Sequence, residues 1–154
     1  MISNATPLIC LAKINKLVLL KKLFRSIIIP ESVKDEILID DKPGYFAINE
    51  AIKEKWIKIV NPKNDPDLGL GKGENSAINL AKERKDKLII DDAFAIKVAK
   101  AFNIDVIRTT TIIFKAIEKD IISKKQAISL INKLIEIGYY ISPRYYSIIL
   151  EKVS

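Results

Sequence analysis

The sequence contains no histidine and only one cysteine, and these absences remove several classes of catalytic site. Without histidine there is no Ser-His-Asp triad, no Cys-His pair and no zinc ion held by imidazole groups. Cys10 cannot form a disulfide within the chain, and its apolar neighbours favour a small buried side chain over a nucleophile. Any hydrolytic chemistry must therefore depend on carboxylates, with a hard metal ion as the expected companion.

Long apolar runs are also missing. The longest apolar stretch, residues 17–30, is interrupted by Lys21, Lys22 and Arg25 and cannot span a bilayer. No basic start precedes an apolar segment, so we expect no signal peptide, no membrane partner and a cytoplasmic location. A length of 154 residues, of which 49% are hydrophobic, suits a single domain over residues 1–154 with a sizeable core.

Positive charge is in excess, with a formal net charge of +7. This balance favours a polyanionic partner such as RNA, although lysines on solvated helix faces would give the same total. The basic residues cluster at Lys53, Lys55 and Lys58, at Lys82, Arg84, Lys85 and Lys87, and at Lys97 and Lys100. Tyrosines that could stack on bases are found at Tyr139, Tyr140, Tyr145 and Tyr146.

Strands and helices alternate along the chain. Short apolar runs predict strands near residues 1–4, 27–29, 57–60, 87–91 and 105–108. The segments between them have the apolar spacing of helices, whereas residues 40–44 and 61–73 contain turn and loop residues. This alternation predicts an α/β fold, a three-layer sandwich with a central, mostly parallel sheet flanked by helices.

The stretch LIIDD, residues 88–92, should lie at the centre of this sheet. Three apolar residues suit a buried strand, and Asp91 and Asp92 stand where that strand ends. Residues 93–102 then predict a helix with Phe94 on its inward side, and Asp92 is a good N-cap for it. The carboxyl ends of parallel strands line the functional crevice of such folds, which makes both carboxylates candidate site residues.

Other polar residues fall at equivalent positions. Asn4 ends the first strand, Glu36 lies on the helix after the second strand, and Thr109 follows the last strand. Glu74 starts the helix that leads into the central strand and joins the group if the preceding loop folds over. Carboxylates gathered in this way repel one another, and a divalent cation relieves that repulsion. Oxygen ligands favour Mg²⁺ or Mn²⁺ over Zn²⁺.

Each of these residues also has an ordinary structural explanation. Asp92 could serve only as a cap, and Glu74 could be a first-turn acid that answers the helix dipole. Glu36 could belong to an exposed acidic face with Asp35 and Asp40. It is the coincidence of these residues at the strand and helix ends of one sheet that favours a shared site.

Four segments together resemble the PIN domain, a metal-dependent ribonuclease fold found in many prokaryotic toxin–antitoxin pairs. They are SNATPLI (residues 3–9), IPESVKDE (29–36), GKGENSAINLA (71–81) and LIIDD (88–92), and they occur in the family's order. The closer likeness is to a poorly characterised prokaryotic branch of that family. The resemblance spans roughly the whole chain.

This resemblance implies an acidic catalytic site formed by Glu36, Glu74 and Asp92, with Asp91 beside them. These four carboxylates would hold Mg²⁺ or Mn²⁺. The family usually has Asp at the end of the first strand, where this chain has Asn4, so the amide would occupy the first catalytic position without bringing a charge.

The resemblance also implies roles for residues around the acids. Thr6, Thr109 and Thr110 would orient water, and Arg108 would contact a phosphate or fill the site. The implied function is hydrolysis of phosphodiester bonds in RNA, as the toxin of a toxin–antitoxin pair. RNA, an antitoxin protein and a second copy of the chain are the partners that such a toxin would have.

Two alternatives stay open. The uncharged Asn4, and Arg108 pairing with Asp91 or Asp92 in place of a metal, suit a degenerate PIN-like module that binds RNA or a protein without cutting it. A phosphoacceptor receiver domain also places acids after a strand. It needs its acid pair at the first strand, however, where this chain has Ser3 and Asn4.

Overall fold

The computed structural model describes residues 1–39 and 44–154. These residues divide into two compact units, Met1–Thr109 and Thr110–Ser154. The strands are β1 (Ile2–Ser3), β2 (Ile27–Ile29), β3 (Ile57–Ile59), β4 (Leu88–Ile89) and β5 (Val106–Ile107). The helices are α1 (Ala5–Lys13), α2 (Val18–Phe24), α3 (Glu31–Ile37), α4 (Tyr45–Lys53), α5 (Lys72–Arg84), α6 (Ala93–Ala101), α7 (Thr109–Glu118), α8 (Lys124–Glu136) and α9 (Pro143–Val153).

The first unit contains a five-stranded sheet in the order β3-β2-β1-β4-β5. All of its pairings are parallel, and Ile2 and Ser3 of β1 lie opposite Leu88 and Ile89 of β4. Ile2, Leu88 and Ile89 are fully buried, as expected for strands covered on both faces. Each such side chain stabilises the fold by about 2 kcal/mol. The predicted α/β architecture with a parallel sheet flanked by helices is confirmed.

The strand order creates a crevice between β1 and β4. The chain moves outward from β1 to β2 and β3, then returns to β4 and β5 on the other side of β1. Because parallel crossovers are right-handed, the connections before and after this reversal cover opposite faces of the sheet. The helices that follow β1 and β4 therefore diverge, and the carboxyl ends of these two strands border the point where ligands bind in open α/β sheets.

Several local expectations are confirmed, and others need correction. Each of the five predicted strands is present, and β3 lies at one edge of the sheet. Helix α5 begins at Lys72 instead of Glu74. Phe94 was predicted to face inward but is 59% exposed. The predicted turn at residues 40–44 falls mostly on residues 40–43, outside the described part of the chain.

The second unit contains α8 and α9, which pack against each other. Ser123 and Gln126 form a capping box at the start of α8, and Ser142 caps α9 with Pro143 in its first turn. The hydroxyl of Tyr146 donates a hydrogen bond of 2.8 Å to Asn132. A single domain over residues 1–154 stays a prediction.

Candidate active site

Asn4 lies at the carboxyl end of β1, beside β4. Its backbone N–H donates to the carbonyl of Ile89 at 3.0 Å, which continues the ladder between the two strands by one residue. Asn4 is 4% exposed, and its buried Oδ1 atom has no hydrogen-bond partner among the described residues. A buried amide oxygen without a partner costs about 1–3 kcal/mol, so this atom is a candidate ligand position.

Gly73 brings the start of α5 against α3 and β1. A Cβ atom at this position would lie 2.6 Å from Oε2 of Glu36, 3.4 Å from Cγ2 of Val33 and 3.6 Å from Oδ1 of Asn4. Any other residue would therefore intrude on the space that the Glu36 carboxylate and the Asn4 amide border. The glycine keeps two oxygen donors from different elements next to the same small volume.

Glu74 follows directly and shares the electrostatic environment of two other acids. Partial burial raises the pKa of Glu74, and the negative charges of Asp92 and Glu36 raise it further. The charges of Asp92 and Glu36 are thus close enough to Glu74 to affect its pKa. These three acids, which the sequence selected from separate elements, are linked through Glu74.

The loop before α5 explains how Glu74 reaches this edge of the sheet. The carboxylate of Asp65 accepts hydrogen bonds from Asn75 (3.0 Å), Ser76 (2.5 Å) and Asn79 (2.7 Å). Glu83, one turn further along α5, accepts from two backbone N–H groups of the same loop. The loop, interpreted from composition as simply exposed, is fastened along one polar face of the helix.

Asp91 and Asp92 have different partners. Asp92 is exposed and caps α6 by accepting a hydrogen bond of 2.8 Å from the N–H of Ala95. Asp91 accepts from the N–H of Thr109 at 3.0 Å and from its hydroxyl at 2.7 Å. The predicted cap is therefore present, and Asp91 links the end of β4 to the start of α7.

The remaining predicted residues lie in varied settings. Thr6 is exposed in the first turn of α1, and Arg108 is exposed immediately before α7. Thr110 is 1% exposed, and its hydroxyl is buried without a partner in the described structure. Burial raises the pKa of Cys10 to about 11, and the nearby Asp91 carboxylate adds to this effect. The thiol is therefore protonated at neutral pH and is no nucleophile.

A cleft of about 400 Å³ opens beside Glu36 and Glu74. Ser32, which the sequence did not single out, borders this cleft and an adjoining one of about 480 Å³ next to Asp65. The Ser32 hydroxyl is buried, and no group in residues 1–39 or 44–154 forms a hydrogen bond with it. Only its position four residues before Glu36, on the same side of α3, could have suggested it.

The oxygen atoms of these side chains are the kind of ligand that a hard divalent cation prefers. Asn4 and Glu36 offer an amide and a carboxylate oxygen at one space, and Glu74 and Asp92 lie within electrostatic range. Among the described residues, however, no three Asp, Glu or Cys side chains are gathered closely enough to hold an ion by themselves. The fit to Mg²⁺ or Mn²⁺ therefore rests on a mixed amide and carboxylate set, with Asn4 beside the acids.

No helix in residues 1–39 or 44–154 has the length and apolarity needed to cross a membrane.

Comparisons with known proteins agree with the fold. A PilT N-terminus domain protein, SSO1118, from the hyperthermophilic archaeon Sulfolobus solfataricus P2 has a similar structure, with a TM-score of 0.53 and 21% sequence identity. The similarity covers 77% of this chain and 95% of that protein. No curated protein matches the chain. The family model DUF3368, described as a PIN domain, matches residues 1–154, and the chain therefore belongs to the PIN domain family.

Proposed function

We propose that this PIN domain is a metal-dependent ribonuclease that hydrolyses phosphodiester bonds in single-stranded or structured RNA. The observation that carries the proposal is the convergence of Asn4 Oδ1 and Glu36 at Gly73, with Glu74 and Asp92 nearby. These groups come from four separate elements, and Asn4 and Asp92 follow β1 and β4, whose carboxyl ends border the crevice. Family membership supports a nuclease-like activity.

The charged and uncharged oxygens of these residues would have different roles in binding a metal ion. Glu36, Glu74 and Asp92 would bind Mg²⁺ or Mn²⁺ together with the uncharged oxygen of Asn4, and Asp91 would support them from the end of β4. Such an ion, when bound, makes a coordinated water more acidic and offsets charge on a phosphodiester. The like charges that raise the pKa of Glu74 give the apo site its affinity for a cation.

Neighbouring groups would position these ligands. The hydrogen bond from Ala95 fixes one oxygen of Asp92, and both bonds from Thr109 fix the orientation of Asp91. The exposed Thr6 and Arg108 stand at the starts of α1 and α7, where a water or an RNA phosphate can reach them. Thr110, whose hydroxyl is buried without a partner in the described structure, stays a predicted water-positioning residue.

An antitoxin protein and a homodimer belong to the proposal as well. They are supported by the toxin–antitoxin context of the family, and by large apolar side chains that stay exposed, such as Phe46 and Tyr140. Light scattering on the purified chain would measure the oligomeric state. A monomer at all accessible concentrations would remove the homodimer from the account.

The second candidate function is a module that binds RNA without cutting it. Two observations favour it: an amide stands at the first catalytic position, and no three acids gather by themselves among the described residues. Both candidates share the same crevice and the same RNA. They differ only in whether added Mn²⁺ produces cleavage.

Cleavage of a labelled single-stranded RNA with Mn²⁺ or with EDTA tests the proposal. We expect the parent to cut in Mn²⁺ alone, and Asp92→Asn, which retains the cap, to lower the rate by at least about a hundredfold. Asp120→Asn removes an acid of the second unit and is the matched control, with the parent's rate expected. RNA binding without cleavage in Mn²⁺ would instead establish the non-cutting module.

A further inference from the structure

A second cleft, of about 370 Å³, opens at the amino ends of β4 and β5. It lies between the segment that joins α5 to β4 and the segment that joins α6 to β5. Asn4, Asp91 and Asp92 follow the carboxyl ends of their strands, so this cleft is at the opposite edge of the sheet from the acids. Helix α5, which has 13 residues and is about 20 Å long, spans the distance between the two sites.

Three lysines line this cleft, and the described residues provide no ion-pair partner for them. Lys82, Lys85 and Lys87 come from the last turn of α5, its C-cap and the residue before β4. Within residues 1–39 and 44–154, none of the three forms an ion pair. Lysines near a helix C-terminus also interact favourably with the helix dipole. Lys87 lies outside the helix and has no such role.

Two acids also border the cleft, and one of them is already neutralised. The carboxylate of Asp86 receives the N-terminal ammonium of Met1 at 2.7 Å and the N–H of Lys87 at 2.8 Å. Asp105 is left as the counter-charge to the lysines. The cleft therefore has an excess of positive charge, concave walls and room for part of a nucleotide.

An aromatic ring completes the lining and holds one lysine in place. The ammonium of Lys82 lies 4.4 Å from the centroid of the Phe102 ring, at the C-cap of α6. This cation–π contact limits the motion of the lysine, so less conformational entropy is lost when an anion binds to it.

We propose that this cleft binds phosphate groups of an RNA strand, as a contact separate from the acidic crevice. The choice of RNA as the polyanion rests on the proposed function. Phosphates need only positive charge at a reachable surface, and the cleft offers three lysines in one concavity, one of them held by Phe102. The acids at one edge and the lysines at the other give the domain separate places for cutting and for holding a strand.

Fluorescence anisotropy with a short fluorescein-labelled oligouridylate, in EDTA so that nothing is cut, tests the proposal. The variant is Lys85→Gln with Lys87→Gln, and the matched control is Lys124→Gln with Lys125→Gln, two exposed lysines of α8. The dissociation constant is measured over a range of salt concentrations. Thermal unfolding of each protein separates a loss of binding from a loss of fold.

We expect the cleft variant to bind more weakly and to lose about 1.4 from the slope of log affinity against log salt, since each phosphate contact on a single strand contributes about 0.7. The control should keep the parent's slope. Equal losses in both variants, or a parental slope in the cleft variant, would overturn the proposal. If the double variant does not fold, Lys87→Gln alone should lose about 0.7.

The outcome is separable from that of the proposed hydrolysis. A parent that cuts no RNA in Mn²⁺, with cleft variants that still bind less RNA, contradicts the nuclease and supports the cleft. A parent that cuts RNA, with cleft variants that bind like the parent, contradicts the cleft alone.

Discussion

Thr109 donates two hydrogen bonds to one carboxylate, that of Asp91, through its backbone N–H at 3.0 Å and its hydroxyl at 2.7 Å. The pair joins Asp91, two residues after β4, to the first residue of α7, and Thr109 is fully buried. Because the backbone N–H and the hydroxyl of Thr109 donate to different oxygens of Asp91, they fix the direction of that carboxylate. The contact therefore contributes to stability and orients the edge of the acidic crevice.

Thr109→Val should lower the free energy of unfolding by about 2 kcal/mol, because it removes a hydrogen bond to a charged group at constant volume. Chemical denaturation measures this change. Thr110→Val is the matched control, since the Thr110 hydroxyl is buried without a partner in the described structure. Its replacement should raise stability by up to about 1 kcal/mol. If both variants lose the same free energy of unfolding, the hydrogen bond from Thr109 to Asp91 does not contribute specifically to stability.

Asp65→Asn should loosen the loop on α5 and lower stability at neutral pH by about 1–2 kcal/mol, because three donors lose a charged acceptor. Burial acts to raise the pKa of Asp65, but the hydrogen bonds from Ser76, Asn79 and Asn75 outweigh it and lower the pKa below 3.8. The stabilisation is therefore present above pH 3.8 and is lost as the pH falls through the lower, folded value.

Urea denaturation from neutral to acidic pH should accordingly show the difference between parent and Asp65→Asn shrinking toward low pH. Asp67→Asn is the control in the same loop, where the side chain accepts only the N–H of Gly69. A difference that persists unchanged at low pH would mean that the Asp65 charge is not what holds the loop.

Glu74→Gln should make the metal-free protein more stable at neutral pH. Burial, Asp92 and Glu36 raise the pKa of Glu74 in the folded state, so ionised Glu74 destabilises the fold. This penalty is absent below the ordinary pKa of 4.5 and grows as the pH rises through the folded value. In EDTA, the gain over the parent should therefore appear at pH 7 and vanish in acid.

In excess Mn²⁺ the parent should instead have the higher unfolding temperature. Glu74→Gln has lost a metal ligand, and with it the stabilisation that metal binding supplies. Glu118→Gln, an acid of the second unit, should follow the parent in both conditions. A variant that is stabilised in EDTA yet gains as much from Mn²⁺ as the parent would exclude Glu74 from the metal site.

Asn4→Asp should tighten Mn²⁺ binding and raise the rate of RNA cleavage, since it adds a charge beside Glu36 with almost no change in shape. Without metal it should destabilise the domain, because a further anion joins the cluster. Calorimetric Mn²⁺ titration and unfolding in EDTA measure the two effects, with Asn15→Asp as the control. If Asn4→Asp only tightens Mn²⁺ binding, or only lowers stability in EDTA, Asn4 is not part of the site.

The parallel sheet was predictable because the information for it is local. Buried parallel strands are short apolar runs, and the helices between them carry their own caps, such as Asp92 and Ser123. Phe94 was misplaced because it lies about 200° around the helix from Ile96, which does face inward. A stripe defined by apolar character alone could not separate these two positions.

The acids of the candidate site could be predicted from the sequence, but the packing around them could not. Glu36, Glu74 and Asp92 stand at recognisable element ends, but the close approach at Gly73 depends on how α3 and α5 meet. The loop on α5 did leave a signal, since Asn75, Asn79 and Glu83 recur at intervals of four residues and form one polar helix face. Ser32 left a weaker signal, its position four residues before Glu36 on the same side of α3.

The central claim is that the crevice between β1 and β4 holds a divalent ion, and anomalous scattering from a crystal of the protein soaked in Mn²⁺ tests it most directly. We expect an anomalous peak in the space bordered by Oδ1 of Asn4 and the carboxylate of Glu36, and its loss in Asp92→Asn. A soaked crystal with no peak there, or with Mn²⁺ bound only elsewhere on the chain, would contradict the account.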